Sequence, residues 1–118
     1  MDIRIIRQSI QLAVADELAR VSHVTLVKGV ADVAKKIIAL GGEWHIDANN
    51  VLIADGSAQK DLWGFNIYPK ERGDAALEYI SLINIRPAQG NRSMELTDPA
   101  LRTAIREIVK NLIPELEV

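Results

Sequence analysis

The chain has 118 residues, 48% hydrophobic and 25% charged, which is the make-up of a globular domain with room for one core. Its net charge is −2, with seven basic and seven acidic residues in 1–60, then seven basic and nine acidic in 61–118. Neither half is a polycation, so nucleic-acid binding is not expected, and the absence of cysteine excludes disulfides, iron–sulfur clusters, thiolate zinc sites and cysteine nucleophiles.

The opening "MDIRIIRQSI" lacks the long apolar run of a signal peptide, and no window reaches 18 apolar residues. A soluble cytoplasmic protein without a membrane partner is the expectation. Within that opening, "IRII" reads as a short edge strand. "SIQLAVADELARV" then reads as a helix capped by Ser9, with Ile10, Val14, Leu18 and Val21 on one face and an Asp16–Arg20 pair on the wet side.

The stretch "HVTLVKGVADVAKKIIALGGEWHID" is ambiguous. Val30, Val33, Ala34, Ile37 and Ile38 make a helical stripe. The same residues also form two β segments, "VTLVKGVADV" and "KIIALGGEWHI", joined through Ala34-Lys35-Lys36, and their β-branched content favours that hairpin. Gly41-Gly42 would then be a bulge or bend within the second strand. "DANNVLIADG" suits a short helix capped by Asp47 and stopped at Gly56, though a strand is open as well.

"LWGFNIYP" is a clear strand, in which Trp63, Phe65 and Ile67 alternate against Gly64, Asn66 and Tyr68 until Pro69 ends it. "EYISLINIRP" alternates in the same way, and the echo of "FNIYP" in "INIRP" suggests an antiparallel pair with its polar residues on one face. The last element is a helix: Asp98 caps it, Pro99 takes its first position, and Leu101, Ile105, Ile108, Val109 and Leu112 form its apolar stripe before Pro114. The sum is an α+β fold over 1–118 as one domain, with a mainly antiparallel four- to five-stranded sheet and two or three helices packed on one face.

Chemistry concentrates in two places. Glu43, His45 and Asp47 stand at every second position, so an extended segment would point all three the same way and let the imidazole relay a proton beside carboxylates. A single histidine in the row, without a second at metal-ligand spacing, calls for no metal, and no cofactor motif is present. The second place is "INIRPAQGNRS", where Arg86 and Arg92 bracket a Pro- and Gly-containing loop fit to hold a carboxylate or phosphate. Against this, Gly90-Asn91 reads equally as a plain turn, and Arg92 as one half of a surface ion pair. Trp63 and Phe65 read as core, and Trp44 as sealing the same core. Ser57 and Ser93 lack a nucleophile elbow.

The blocks "GGEWHIDANN", "DGSAQKDLWGFNIYP", "INIRPAQGNRS" and "DPALRTAIREIV" resemble a family of small prokaryotic proteins of unassigned function. The matching positions are Gly41-Gly42-Glu43, His45 and Asp47; Gly56-Ser57, Gln59, Asp61-Leu62-Trp63-Gly64 and Asn66; and Asn84-Ile85-Arg86-Pro87, Gln89-Gly90-Asn91-Arg92-Ser93 and Asp98-Pro99. The likeness runs over about 43 to 113. It implies no activity, and it places an acidic residue where this chain has Asn49, which weakens a metal or acid–base reading.

The functional expectation is a small polar or anionic ligand held by Arg86 and Arg92, with Asn66, Asn84, Gln89, Asn91 and His45 assisting and Asp47 orienting the histidine. Two alternatives stand beside it. One is a hydrolase with His45 as general base and Arg86 or Arg92 stabilising negative charge. The other is a non-catalytic homodimer or larger homo-oligomer, structural or regulatory, paired through the "IRII" edge.

Overall fold

The computed structural model describes residues 2–118. One antiparallel sheet contains β1 (Ile3–Ile6), β2 (Val27–Asp32), β3 (Ile37–Gly41), β4 (Leu62–Ile67) and β5 (Leu77–Glu78), in the spatial order β1-β3-β2-β4-β5. Three α-helices pack on it: α1 (Leu12–Ser22), α2 (His45–Ala54) and α3 (Pro99–Leu112). The α+β class, the antiparallel sheet and the edge position of β1 agree with the sequence reading.

The sheet's two faces carry separate cores. Ala31, Ile38, Leu40, Phe65 and Ile67 face α1 and α3, which contribute Leu18, Ile105, Val109 and Leu112. Val30, Ile37, Ala39 and Leu62 face the other way, against Ala48 and Leu52 of α2. The small helix α2 therefore covers the face opposite to α1 and α3. Strand alternation sends neighbouring residues such as Val30 and Ala31 to different cores, so these central strands read as unbroken apolar runs.

The ambiguous segment is a hairpin, and Asp32 decides it. Its Oδ1 accepts the backbone N–H groups of Ala34 and Lys35, both at 2.9 Å, and its Oδ2 accepts the Ser57 hydroxyl at 2.6 Å. Lys36 takes a left-handed backbone (φ 59°) as its N–H closes the turn on the Asp32 carbonyl at 2.8 Å. A buried carboxylate with three donors holds a tight turn better than helix propensity could oppose it.

Gly41 and Gly42 both sit at positive φ (114° and 88°). They do not bulge β3 from within, as the sequence suggested, but end it and fold the chain back over the sheet as α2. The expected strand across residues 79–86 is also absent. Only Leu77–Glu78 pair with β4, and Leu82–Asn84 form a 3-10 turn in which the Ser81 hydroxyl accepts the Ile83 N–H at 3.2 Å. Helix α1 starts at Leu12, not at a Ser9 cap, because Glu115 from the far end of the chain accepts the Leu12 N–H at 2.9 Å. Its inward face is Ala15, Leu18 and Ala19, while Val21 is exposed; the Asp16–Arg20 pair forms at 3.8 Å.

Helix α3 follows its stripe. Asp98 accepts the Ala100 N–H at 2.9 Å, Pro99 leads, and Ile105, Ile108, Val109 and Leu112 are buried. Each such side chain contributes about 1.5–3 kcal/mol on burial, against ~1 kcal/mol for the cap. Burial, not capping, sets where α3 lies.

The first core is tightest at Gly29, which pairs across strands with both Phe65 and Leu40. A Cβ there would come within 2.5 Å of the Phe65 ring and 2.9 Å of Leu40 Cδ2. Gly29→Ala should lower unfolding free energy in urea by about 2 kcal/mol, the usual cost of an added methyl in a filled core. A loss under roughly 0.5 kcal/mol would mean that the ring moves aside freely.

Candidate functional site

Strand β4 organises both places that the sequence singled out. Its even-numbered residues direct their backbone groups away from β2, and β5 covers only the end at Asn66 and Ile67. Side chains from 84–91 satisfy the rest. Asn84 Oδ1 accepts the Gly64 N–H at 2.8 Å and its Nδ2 donates to the Gly64 carbonyl at 3.0 Å, so one amide stands in for a paired strand. Gly64 lacks a side chain where Ser81 and Ile83 close in; an added Cβ would lie 2.5 Å from Ser81 Cβ.

Arg86 continues this edge. Its guanidinium donates to the carbonyls of Leu62 and Gln59, the latter at 2.8 Å, and to Gln89 Oε1 at 3.1 Å. It also lies 3.7 Å above the Trp63 ring centre, a cation–π contact that roofs the first core. Burial holds its pKa below the usual arginine value, and no carboxylate pairs with it among the described residues. Gln89 donates to the Lys60 carbonyl at 3.0 Å.

Asn91 ties the loop together. Its Nδ2 lies 2.8 Å from the Asn84 carbonyl, 2.9 Å from that of Ser93 and 3.1 Å from that of Glu95, while Oδ1 accepts from Thr97 N–H and Oγ, both at 3.2 Å. Asn84 and Asn91 are buried; Arg92 alone of the expected loop residues points its charge outward, and its side chain is exposed. Thus Asn84, Arg86, Gln89 and Asn91 come together with most of their polar atoms committed to the chain, while Arg86 Nε is buried without a hydrogen-bond partner against the Trp63 ring.

The expected row of Glu43, His45 and Asp47 does not exist as a row, because α2 begins at His45. Asp47 Oδ2 accepts the Trp44 N–H at 3.2 Å and so closes the helix start. Trp44 does not seal the core; it is 57% exposed. His45 turns under the helix, where it is buried and its Nε2–H donates to the Phe65 carbonyl at 2.8 Å. A carbonyl can only accept, so Nε2 carries the proton and Nδ1 of the neutral ring keeps a lone pair. Burial above all, helped by the positive charge of Lys28 and by His23, pushes this ring from 6.5 down to about 4, against the opposing pull of the Phe65 carbonyl and of Asn66. At neutral pH it is an acceptor, not a cation.

Asn66 sits beside it. Its amide N–H groups go to Glu78 Oε1 at 2.9 Å and the Ile80 carbonyl at 3.2 Å, yet its Oδ1 is buried without a hydrogen-bond partner while the His45 ring is neutral. A protonated ring would supply one, which is the upward pull of Asn66 on that pKa. Both residues open onto a cavity of about 350 Å³ between α2 and the 80–83 turn. Trp44, Ile46, Leu82 and Met94 form its apolar rim, all more than 40% exposed, and Lys28 Nζ stands over the Trp44 ring at 5.9 Å. Lys28 and Asn66 are direct cross-strand partners. Lys28 was missed in the sequence, although a lone lysine inside "VKGVA" is the signal that could have exposed it.

Asn49, the position where the resemblance led us to expect an acidic residue, pairs amide to amide with Gln59 at 2.8 and 2.9 Å and binds α2 to the turn before β4. Among the described residues, no group of three His, Asp or Glu side chains could hold a metal ion, and no helix is long and apolar enough to cross a membrane. A wider groove of about 710 Å³ lies between β5 and α3, where Arg102 is tied to Glu95 and the Leu96 carbonyl.

Comparison with curated proteins and with solved structures finds no match. A family model does match, over residues 4–112, and it is described as a protein of unknown function (DUF5674); the chain belongs to that family.

Proposed function

We propose that the protein binds a small polar ligand in the cavity where His45 and Asn66 meet on the α2-covered face of the sheet. The observation that carries this is the Asn66 amide oxygen, buried without a partner at the floor of a mostly apolar cavity. Burying an acceptor unmatched costs about 1–3 kcal/mol, so such a group is retained more readily where a ligand completes it. A volume of about 350 Å³ falls within the ordinary range for small-molecule sites. Lys28 at the rim supplies the cationic contact that an anionic substituent would use, the role that the sequence reading gave to the Arg86–Ser93 loop.

Binding is favoured over hydrolysis on two counts. A base with a pKa of about 4 is a weak proton acceptor at neutral pH. In addition, Arg86 is bonded at Leu62 while His45 is bonded at Phe65, three residues or about 10 Å further along β4.

The test is a ligand-observed NMR screen of neutral and anionic fragments on wild type, Met94→Trp and Arg92→Ala. Filling the mouth with Met94→Trp should weaken the wild-type hits at least tenfold, and Arg92→Ala should leave them unchanged. Hits lost in Arg92→Ala and kept in Met94→Trp would move the site back to the loop.

A further inference from the structure

Resting on that binding reading, we infer that the cavity selects its ligand by a neutral N–H or O–H donor carried on an apolar body. The fixed polar groups of the floor are both acceptors. Asn66 has already given its amide hydrogens to Glu78 and Ile80, which leaves Oδ1 open. His45 has given its Nε2 hydrogen to Phe65, which leaves the other ring nitrogen as a lone pair. The Ser81 hydroxyl, which accepts from the Ile83 N–H, can rotate to serve either way and does not decide.

A ligand that brings only acceptors meets two lone pairs and leaves all of them buried. One that brings a donor satisfies at least one acceptor and removes its penalty. A cationic donor is disfavoured, since Lys28 is the charged residue lining the cavity and the rim around it is apolar. The chemical class is therefore an uncharged heterocyclic or amide N–H, or a hydroxyl. A site built to hydrogen-bond a substrate N–H or O–H rejects the analogue lacking it far more strongly than an apolar site rejects a missing methyl.

Indole and benzofuran isolate this feature, because they share one bicyclic shape and differ by N–H against ring oxygen. Their affinities are measured by titrating the 15N- and methyl-labelled protein and following the Trp44 and Met94 signals. Indole should bind at least about tenfold more tightly than benzofuran to wild type, the scale of one buried hydrogen bond. In Asn66→Leu and His45→Phe, each first checked for a wild-type pattern of remote shifts, that ratio should fall towards one. Equal binding of the two probes to wild type overturns donor selection while the binding reading stands. Failure of both to shift Trp44 and Met94 overturns the two together. Should neither variant fold, the wild-type ratio alone still decides.

Discussion

Asn91→Ala should lower the unfolding free energy by about 3 kcal/mol or more, read from urea denaturation at neutral pH. The side chain is 3% exposed and engages three carbonyls through Nδ2 and the N–H and hydroxyl of Thr97 through Oδ1. Truncation removes partners from groups that water reaches poorly, and each buried group so orphaned costs about 1–3 kcal/mol. Asn91→Asp is the sharper variant. It keeps the shape but replaces a donor by a carboxylate oxygen that faces the carbonyls of Asn84, Ser93 and Glu95, so it should be at least as damaging as alanine. Arg92→Ala, one residue on and exposed, should change stability by no more than roughly 0.5 kcal/mol. If Asn91→Ala cost less than about 1 kcal/mol, the loop would not be a structural knot. Its polar groups would then be available to a ligand.

That contrast bears on how a motif rich in Asn, Gln, Arg and Gly should be read. In "INIRPAQGNRS" the residue types are those of an anion receptor, and the bonds they make are those of a strand substitute. Asn84 and Arg86 serve the backbone of β4 because β5 stops after two residues. Backbone carbonyls left open by a short neighbouring strand leave no trace in a side-chain pattern. This is the physical reason that the alternation in 79–86 reads as another strand: Ser81, Ile83 and Ile85 alternate as in a strand, but the partner groups of Gly64 and Leu62 are met by side chains instead of by a paired backbone.

Helix α3 was legible for the opposite reason, since its stripe, Asp98 cap and leading Pro99 all give one answer. In α2 the inward positions are His45, Ala48, Asn49 and Leu52, a regular helical spacing in which two of the four residues are polar. A hydrophobic pattern cannot show such a face. Those polar residues are also the ones that matter here: Asn49 pairs with Gln59, and His45 opens onto the cavity. The sequence therefore pointed at His45 and Asn66 through their residue types, while Lys28 and the exposed Trp44 emerged only when β2, β4 and α2 were seen together.

The other large effect is the acid response of His45. The ring's pKa is about 4 in the folded protein against 6.5 when free, because burial opposes the charge. Between these values the unfolded chain binds a proton that the folded chain does not. Acidification in that window therefore favours unfolding: the contribution is complete above pH 6.5, shrinks as pH falls, and is gone near pH 4. Two and a half pKa units correspond to about 3 kcal/mol. In His45→Gln the side-chain amide can still donate to the Phe65 carbonyl but cannot titrate. The stability difference between wild type and His45→Gln should therefore shift against wild type by about 3 kcal/mol from pH 6.5 to pH 4, measured as urea unfolding free energy at each pH. Parallel curves would mean that the ring is wetter than its burial implies, and the neutral acceptor proposed for the cavity floor would be lost with it.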